Sequence, residues 1–260
     1  MSIERIVKSE TSLIAFGERD RHEVVLKVAR TETEWRSGEL LSKFDGAGML
    51  PALEVGDGAV LMDRLEPGHD LSALVIGGRD DEATGILAGI IARMDTVRPS
   101  VHGVPAAGDL VQEFQWYRHN CDGLMPDGMI DKAERLFVQL CASQSDVRIL
   151  HGDLHHYNVL FDSRRGWLAI DPSGIHAELE YEVGASLRNP IDAPDLLAQE
   201  QTAVRRLRIY KATLGLNADR ALRWAFCQAV LAALWPSEEG VGTDVRGPFI
   251  AAATAMLPLL

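Results

Sequence analysis

The sequence predicts an α+β fold with two parts, a small β-rich N-terminal lobe and a larger, mostly helical C-terminal lobe. Short runs of β-branched and aromatic residues, separated by polar turns, occupy much of the first part of the chain. After Gly68 the pattern changes to long segments with helical periodicity, interrupted by one compact apolar β region. We therefore place the N-lobe at residues 1–65 and the C-lobe at residues 66–260.

The N-lobe strands are predicted from runs of apolar and β-branched residues. They are Arg5 to Lys8, Leu13 to Phe16, Glu23 to Val28, Ala52 to Val55 and Ala59 to Met62. We expect a polar turn at Gly17 to Arg21 and another at Gly56 to Gly58. One helix is predicted from Thr31 to Phe44, and the glycines and the proline that follow should end it.

The C-lobe begins after a connector, Asp63 to Gly68, that leaves the sheet through Pro67-Gly68. Its predicted helices are Asp81 to Val97, Asp109 to Cys121, Asp127 to Ser143, Ala193 to Leu214, Ala218 to Trp235 and Gly247 to Leu257. Its predicted strands are Val147 to Leu150, Val159 to Phe161 and Trp167 to Ile170. The last two strands should form a hairpin around the polar turn Asp162 to Gly166.

Charge and cysteine content narrow the class of protein. The net charge is −12, which repels nucleic-acid phosphates and suits a cationic small molecule as the binding partner. The cysteines Cys121, Cys141 and Cys227 show no paired spacing, which fits a reducing cytoplasm, and the N-terminus lacks a signal-peptide pattern. The apolar stretch Ala229 to Trp235 is too short to span a bilayer. We expect a cytoplasmic monomer, with a dimer as the alternative.

Three polar residues stand out in the compact β region. Asp153 and Asn158 flank a loop, and Asp171 ends the strand that follows the predicted hairpin. Because the hairpin from Val159 to Ile170 returns to its starting point, Asn158 and Asp171 should lie close together. Carboxylate and amide oxygens are ligands for Mg²⁺, and a carboxylate such as Asp153 can orient and deprotonate a hydroxyl. The pattern therefore indicates phosphoryl transfer.

The same segment resembles a known family. His151-Gly-Asp-Leu-His-His-x-Asn-Val-Leu, Gly166-Trp-Leu-Ala-Ile-Asp-Pro and Asn189-Pro190 are similar to the aminoglycoside phosphotransferase branch of the protein-kinase-like superfamily. Within it, the sequence most resembles the streptomycin 6-phosphotransferase family, also described as aminoglycoside/hydroxyurea antibiotic resistance kinases. The resemblance implies a two-lobed kinase-like fold, ATP and Mg²⁺ as cofactors, and transfer of phosphate to a hydroxyl of an aminoglycoside such as streptomycin.

The resemblance also implies roles for residues outside the motif. Lys27 would hold the ATP phosphates and pair with a glutamate of the next helix. Glu34 and Glu39 compete for that pairing, and we choose Glu34 because it lies seven residues before Leu41, on nearly the same helical face. His155 would lie near the transferred phosphate.

The nucleotide would be held mainly by the backbone. By resemblance, Met62 abuts the base, and Asp63 and Leu65 offer main-chain hydrogen bonds. The chain has no glycine-rich phosphate loop, and the segment Ser9 to Ser12 takes that place in the sequence. We therefore include Ser12 among the nucleotide-binding residues.

Other interpretations remain open at this point. Hydroxyurea or a cellular metabolite would use the same machinery, and a nucleotide-binding pseudokinase regulator would keep the fold without turnover. The departures from the family are a shorter N-terminal segment and Ser173, where the family often has a lysine. A set of acidic residues either lines a pocket for a cationic acceptor or is simply solvated. This set is Glu178, Glu180, Glu182, Asp192 and Asp195.

Overall fold

The structure, a computed structural model, describes residues 2–120, 123, 125–235 and 246–260. Its N-terminal part is a five-stranded antiparallel sheet in the order β1-β2-β3-β5-β4. The strands are β1 (Ser2–Lys8), β2 (Ser12–Arg19), β3 (His22–Ala29), β4 (Ala52–Gly56) and β5 (Ala59–Asp63). A mostly helical part follows, so the predicted two-lobed α+β architecture is confirmed.

The turn between β2 and β3 is shorter than the sequence suggests. We expected a turn from Gly17 to Arg21, but β2 continues to Arg19 and only Asp20 and Arg21 turn the chain, both with positive φ. Gly17 lies inside β2, at a point where β1 passes very close to it. A Cβ there would fall 2.0 Å from the carbonyl oxygen of Ser2, so only glycine fits.

The helix predicted from Thr31 to Phe44 is broken in two. A 3-10 turn, Glu32–Glu34, is followed by helix α1 (Ser37–Phe44). The break lets the Glu34 side chain turn toward β3, where it contacts Lys27 instead of continuing along a helical face. Asp45, in the left-handed conformation, ends α1.

The helical part contains helices of very different lengths. The long helices are α3 (Asp80–Met94), α4 (Val111–Asn120), α5 (Asp127–Ala142), α9 (Glu200–Leu214), α10 (Ala218–Leu234) and α11 (Gly247–Met256). The short helices are α2 (Ser72–Ile76), α6 (Leu179–Glu182), α7 (Gly184–Leu187) and α8 (Pro194–Leu197). The helix predicted from Ala193 to Leu214 is thus two helices, separated at Gln199, whose backbone is extended.

Two further details differ from expectation in this part of the chain. The helix predicted from Asp109 to Cys121 begins as a 3-10 turn, Ala107–Leu110, and its expected last residue, Cys121, lies outside the described residues. The segment expected to be a plain connector contains strand β6 (Pro67–Asp70). Strand β6 pairs with the first strand of the hairpin predicted from Val159 to Ile170, and so joins the connector to the central motif.

Two small sheets position the central motif. The first has the order β6-β8-β9, in which β8 (Val159–Asp162) and β9 (Gly166–Ala169) form the predicted hairpin. The second pairs β7 (Arg148–Leu150) with β10 (Ile175–Ala177), a strand that the sequence pattern did not predict. The loop from 151 to 158 therefore starts at one small sheet and ends at the other.

The core of the helical part forms around α10, whose residues from Trp224 to Leu234 are all buried. Phe137 and Tyr181 meet the Trp224 ring edge-on, with centroids 5.3 and 5.1 Å away. Across the part of the chain that is described, no helix has both the length and the apolar character needed to cross a membrane.

Candidate active site

The β8–β9 hairpin brings Asn158 and Asp171 together at its open end. The N–H of Ile170 donates to the carbonyl oxygen of Asn158 at 2.9 Å, which closes the hairpin one residue before Asp171. Asp171 has φ 63°, a left-handed conformation that turns its side chain out of the strand. The proximity expected from the thirteen-residue spacing is therefore present.

Asp153 lies on the loop with both carboxylate oxygens near nitrogen atoms. Its Oδ1 accepts from Nη2 of Arg188 at 2.9 Å, and its Oδ2 lies 3.3 Å from Nε2 of His155. Burial alone would raise the pKa of Asp153. The neighbouring His155 and Arg188 lower it by a larger amount, so the pKa lies well below its usual range. Asp153 is therefore ionised at neutral pH and is a weak base.

Asn158 is fixed by the same loop. Its Nδ2 donates to the carbonyl oxygen of Asp153 at 3.0 Å and lies 3.4 Å from Nε2 of His155. Because the amide nitrogen is engaged by the loop, Oδ1 is the atom left to act as a ligand. His155 thus touches both Asp153 and Asn158, which places it at the centre of the motif.

His151 braces the loop from inside. The N–H of Asp153 donates to its Nδ1 at 3.3 Å, so Nε2 carries the proton and donates to the carbonyl oxygen of Ile170 at 2.9 Å. Burial lowers the pKa of His151 to about 4, which keeps the ring neutral. The ring ties the loop to the strand that leads to Asp171.

Glu182 supports the loop from below. Its Oε2 accepts from the N–H of Gly152 at 3.5 Å, and the side chain is almost completely buried. Burial raises the pKa of Glu182 to about 8, so the carboxyl is largely protonated at neutral pH. Glu182 is therefore a structural group beneath the loop and not a solvated charge.

Lys27 connects the N-terminal sheet to the motif. Its Nζ contacts the carboxylates of both Glu34 and Asp171, and Oγ of Ser37 donates to Asp171 Oδ1 at 3.3 Å. Burial and the nearby Asp171 raise the pKa of Glu34 against the opposing effect of Lys27. Glu39 is exposed, so the expected pairing of Lys27 with Glu34 is present, although a 3-10 turn rather than a continuous helix achieves it.

A cavity of about 370 Å³ lies between the N-terminal sheet and the hairpin. Lys27 and Asp171 line it together with the predicted base-contacting residues Met62, Asp63 and Leu65. Its apolar walls include Ile14, Phe16, Val25, Leu160 and Ile170. This volume lies within the range of small-molecule and cofactor sites.

Ser12 is not among the residues that line this cavity. It is buried, and its backbone N–H donates to Oγ of Ser9 at 2.9 Å. The hydroxyls of Ser9 and Ser12 also lie 3.1 Å apart. The N–H that was to face a phosphate is thus already satisfied within the turn.

Sequence reasoning missed Phe16 and Arg188. Phe16 lines the cavity, and the Arg5 guanidinium lies 4.2 Å from the centroid of its ring. Arg188 contacts Asp153 although the two are 35 residues apart. The only sequence signal for Arg188 was its position as a charged residue between an apolar run and Asn189-Pro190.

Four of the five acidic residues after Asp171 divide into two groups. Glu178 contacts Arg220 and accepts from Nε1 of Trp224 at 2.6 Å, so with Glu182 it is an internal structural group. Asp192 instead accepts from the hydroxyl of Tyr157, in the catalytic loop, at 2.8 Å and is exposed. Asp195 is also exposed.

The oxygen donors of the motif fit a magnesium ion bound jointly by protein and phosphate. Among the described residues, no group of three or more histidine, cysteine or acidic side chains could hold a metal alone. Asn158 offers an amide oxygen and Asp171 a partly exposed carboxylate. Mg²⁺ commonly takes one or two protein oxygens and completes its shell with phosphates and water.

The fold and the site define a phosphotransferase of the protein-kinase-like class. Among solved structures, a thermostable mutant of aminoglycoside phosphotransferase APH(4)-Ia in ternary complex with ADP and hygromycin B superposes with a TM-score of 0.68. The match covers 98% of this chain and 94% of that chain at 13% identity, and it therefore shows the fold.

The chain belongs to the aminoglycoside/hydroxyurea antibiotic resistance kinase family, which matches residues 5–240. It is 34% identical to a streptomycin 3''-kinase from Klebsiella pneumoniae over 89% of this chain and 86% of that protein. It is 28% identical to a streptomycin 6-kinase from Streptomyces glaucescens over 77% of this chain and 66% of that protein. The family predicted from the motif is confirmed.

Proposed function

We propose that this enzyme transfers the γ-phosphate of ATP to a hydroxyl of an aminoglycoside, with streptomycin as the leading acceptor. The observation that carries the proposal is the convergence of Asp153, Asn158, Asp171 and Lys27 beside the cavity between the lobes. Phosphoryl transfer depends mainly on such positioned charge. The two lobes that form this cavity are residues 1–65 and 66–260.

The nucleotide side is assigned to the cavity residues. Met62 abuts the base, while the main chain of Asp63 and Leu65 supplies hydrogen bonds to its edge. Lys27 holds the phosphates, and Glu34 keeps the lysine side chain extended toward them through the contact already present. The apolar walls of the cavity exclude water from the base.

The catalytic side is assigned to the loop. Asp153 accepts a hydrogen bond from the acceptor hydroxyl and orients the oxygen toward the phosphate, and His155 lies beside it. Because its pKa is low, Asp153 contributes more by orientation than by strength as a base.

Asn158 Oδ1 and the Asp171 carboxylate would hold Mg²⁺. The ion would supply positive charge to the phosphate oxygens as negative charge shifts between them. Asp171 already faces Lys27, so its carboxylate can balance two cationic partners at the phosphate end of the cavity.

A cationic acceptor is favoured by three findings. Two relatives are streptomycin kinases, and the chain carries a net charge of −12. In addition, the exposed Asp192 is anchored to the catalytic loop through Tyr157. Hydroxyurea is the second candidate, because the family description includes it.

We further propose a monomer in the cytoplasm, where Cys141 and Cys227 stay reduced as the free thiols that the structure shows.

The test is ADP release with Mg²⁺ in the presence of streptomycin, of hydroxyurea or of no acceptor. We expect streptomycin-dependent turnover that falls about 10²- to 10⁴-fold in Asp153→Ala, while the variant still folds cooperatively. Mapping the phosphorylated product decides between the 3'' and the 6 hydroxyl.

Other outcomes point to other functions. Turnover with hydroxyurea alone would replace streptomycin as the acceptor. Nucleotide binding without turnover on any acceptor would support a pseudokinase regulator. Near-normal turnover in a clean Asp153→Ala sample would refute the assignment of the loop.

A further inference from the structure

Arg188 is a buried cation whose guanidinium meets the catalytic carboxylate. Its side chain is 8% exposed, and Nη2 donates to Asp153 Oδ1 at 2.9 Å. The ring of Phe249 in α11 lies 5.5 Å from its Cζ. We propose that Arg188 is the positioning residue that fixes the Asp153 carboxylate for the acceptor hydroxyl, an inference that rests on the proposed phosphotransfer.

The geometry assigns different tasks to the two carboxylate oxygens. Arg188 holds Oδ1, and this hydrogen bond fixes the rotation of the carboxylate about its last side-chain bond. Oδ2 then points in one direction, with Nε2 of His155 3.3 Å away from it. Oδ2 is therefore the oxygen available to an acceptor hydroxyl, and its direction depends on Arg188.

The backbone that carries Arg188 is itself held by a buried ion pair. Arg206 in α9 is 1% exposed and contacts Asp80 of α3, with Nη2 2.6 Å from Oδ1. Its Nη1 donates to the carbonyl oxygens of Ser186 at 2.6 Å and Asn189 at 2.7 Å. These carbonyls flank Arg188 on both sides, so two long helices fix the point from which its side chain extends.

A purely structural role would not explain the hydrogen bonds of Arg188. Its Nε is buried and has no hydrogen-bond partner among the described residues. Structural arginines usually satisfy their buried donors, as Arg206 does with Asp80 and two carbonyls. Arg188 instead directs the hydrogen bond of its Nη2 to the one carboxylate that the mechanism needs, at the cost of burying an incompletely satisfied charge.

The test compares Arg188→Met and Arg188→Lys with a matched control, Arg220→Met. Like Arg188, Arg220 pairs with a carboxylate, that of the buried Glu178, but it does not contact Asp153. We expect Arg188→Met to lower kcat about 10- to 100-fold through misplacement of the carboxylate, with the KM for ATP unchanged. Arg188→Lys should recover part of the loss, since it restores the charge without the planar fork. Arg220→Met should lower the melting temperature and keep kcat.

A double-mutant cycle with Asp153→Asn separates positioning from general damage. If Arg188 acts through Asp153, Arg188→Met should cause little further loss of kcat in the Asp153→Asn background. Losses of kcat that multiply would overturn the proposal, and so would a loss in Arg220→Met as large as that in Arg188→Met.

The same cycle measured by denaturant unfolding does not depend on an acceptor. Coupled residues should give free energies of unfolding that are not additive, whereas additive values would overturn the proposed contact. If the wild type phosphorylates no acceptor, the proposed function fails, and the unfolding cycle still decides whether Arg188 holds Asp153.

Discussion

The β8–β9 hairpin has an aspartate near each end, and the two carboxylates have different kinds of partner. At the closed end, Asp162 accepts from the backbone N–H groups of Glu66, Arg164 and Arg165 at 2.9–3.2 Å. At the open end, Asp171 is bound by the side chains of Lys27 and Ser37 and lines the cavity. The first carboxylate shapes a turn, while the second can exchange partners when a ligand arrives.

The comparison shows that residue type and burial alone do not distinguish a functional aspartate. Asp162 is the more buried of the two, and burial raises its pKa, yet the backbone donors bring the pKa down to about 2. The negative charge of Asp162 is stabilised by hydrogen-bond donors within the fold. A carboxylate that serves chemistry must instead keep an oxygen accessible to a ligand, as Asp171 does beside the cavity.

Removing the negative charge of the ligand at the open end should have the largest effect. We expect Asp171→Asn to lower kcat about 10³-fold, because several kcal/mol of charge stabilisation at the phosphates would be lost. The melting temperature should stay near that of the wild type, since Lys27 keeps Glu34 as a partner. Steady-state kinetics and calorimetry on the same sample check both expectations. A large fall in stability would show that the open end is also structural.

The opposite pattern is expected at the closed end. Asp162→Ala should lower the free energy of unfolding by about 3 kcal/mol, because three backbone donors lose a charged acceptor. Folded enzyme should keep most of its kcat. Urea unfolding followed by kinetics at a temperature where the variant is folded is the measurement. Loss of kcat without loss of stability would remove the distinction between the two ends.

The open end was predictable from the sequence because its geometry is local. A hairpin of known length places Asn158 beside Asp171, and only the strand pattern and the turn were needed. Most of the strands and long helices were likewise predicted to within a few residues, since each depends on its own periodicity. Missed elements such as β6 and β10 are three or four residues long and form only by pairing with distant strands.

Contacts between distant segments were not predictable in the same way. Arg188 reaches Asp153 because helices α3 and α9 fix its backbone, and nothing in the local pattern encodes that. Glu34 was chosen correctly as the partner of Lys27, but from a helix that is broken in the structure. The hydrogen bond from the N–H of Ser12 to Oγ of Ser9 was likewise not evident from the sequence pattern.

A smaller effect is expected at the residue that joins the open end to the sheet. Lys27→Met should lower kcat/KM for ATP about 10- to 100-fold, because a charge-assisted contact to phosphate contributes about 1.5–3 kcal/mol. Lys43→Met, an exposed lysine in the last turn of α1, is the matched control and should leave the value unchanged. Titration with ATP at saturating acceptor tests this. Equal losses in the two variants would point to a general effect of charge.

The smallest effect concerns Glu182, whose carboxyl lies beneath the loop and away from the ligand. Because burial raises the pKa of Glu182 in the folded protein to about 8 from its usual 4.5, folding favours the protonated form. Its contribution to stability is therefore complete below pH 4.5 and is lost as pH rises toward 8. Glu182→Gln cannot ionise, so its melting temperature should rise relative to that of the wild type as the pH increases from 5 to 8. The measurement is the melting temperature of the two proteins as a function of pH. If the two change in parallel between pH 5 and 8, then Glu182 stays ionised and, like Asp162, is satisfied by backbone donors.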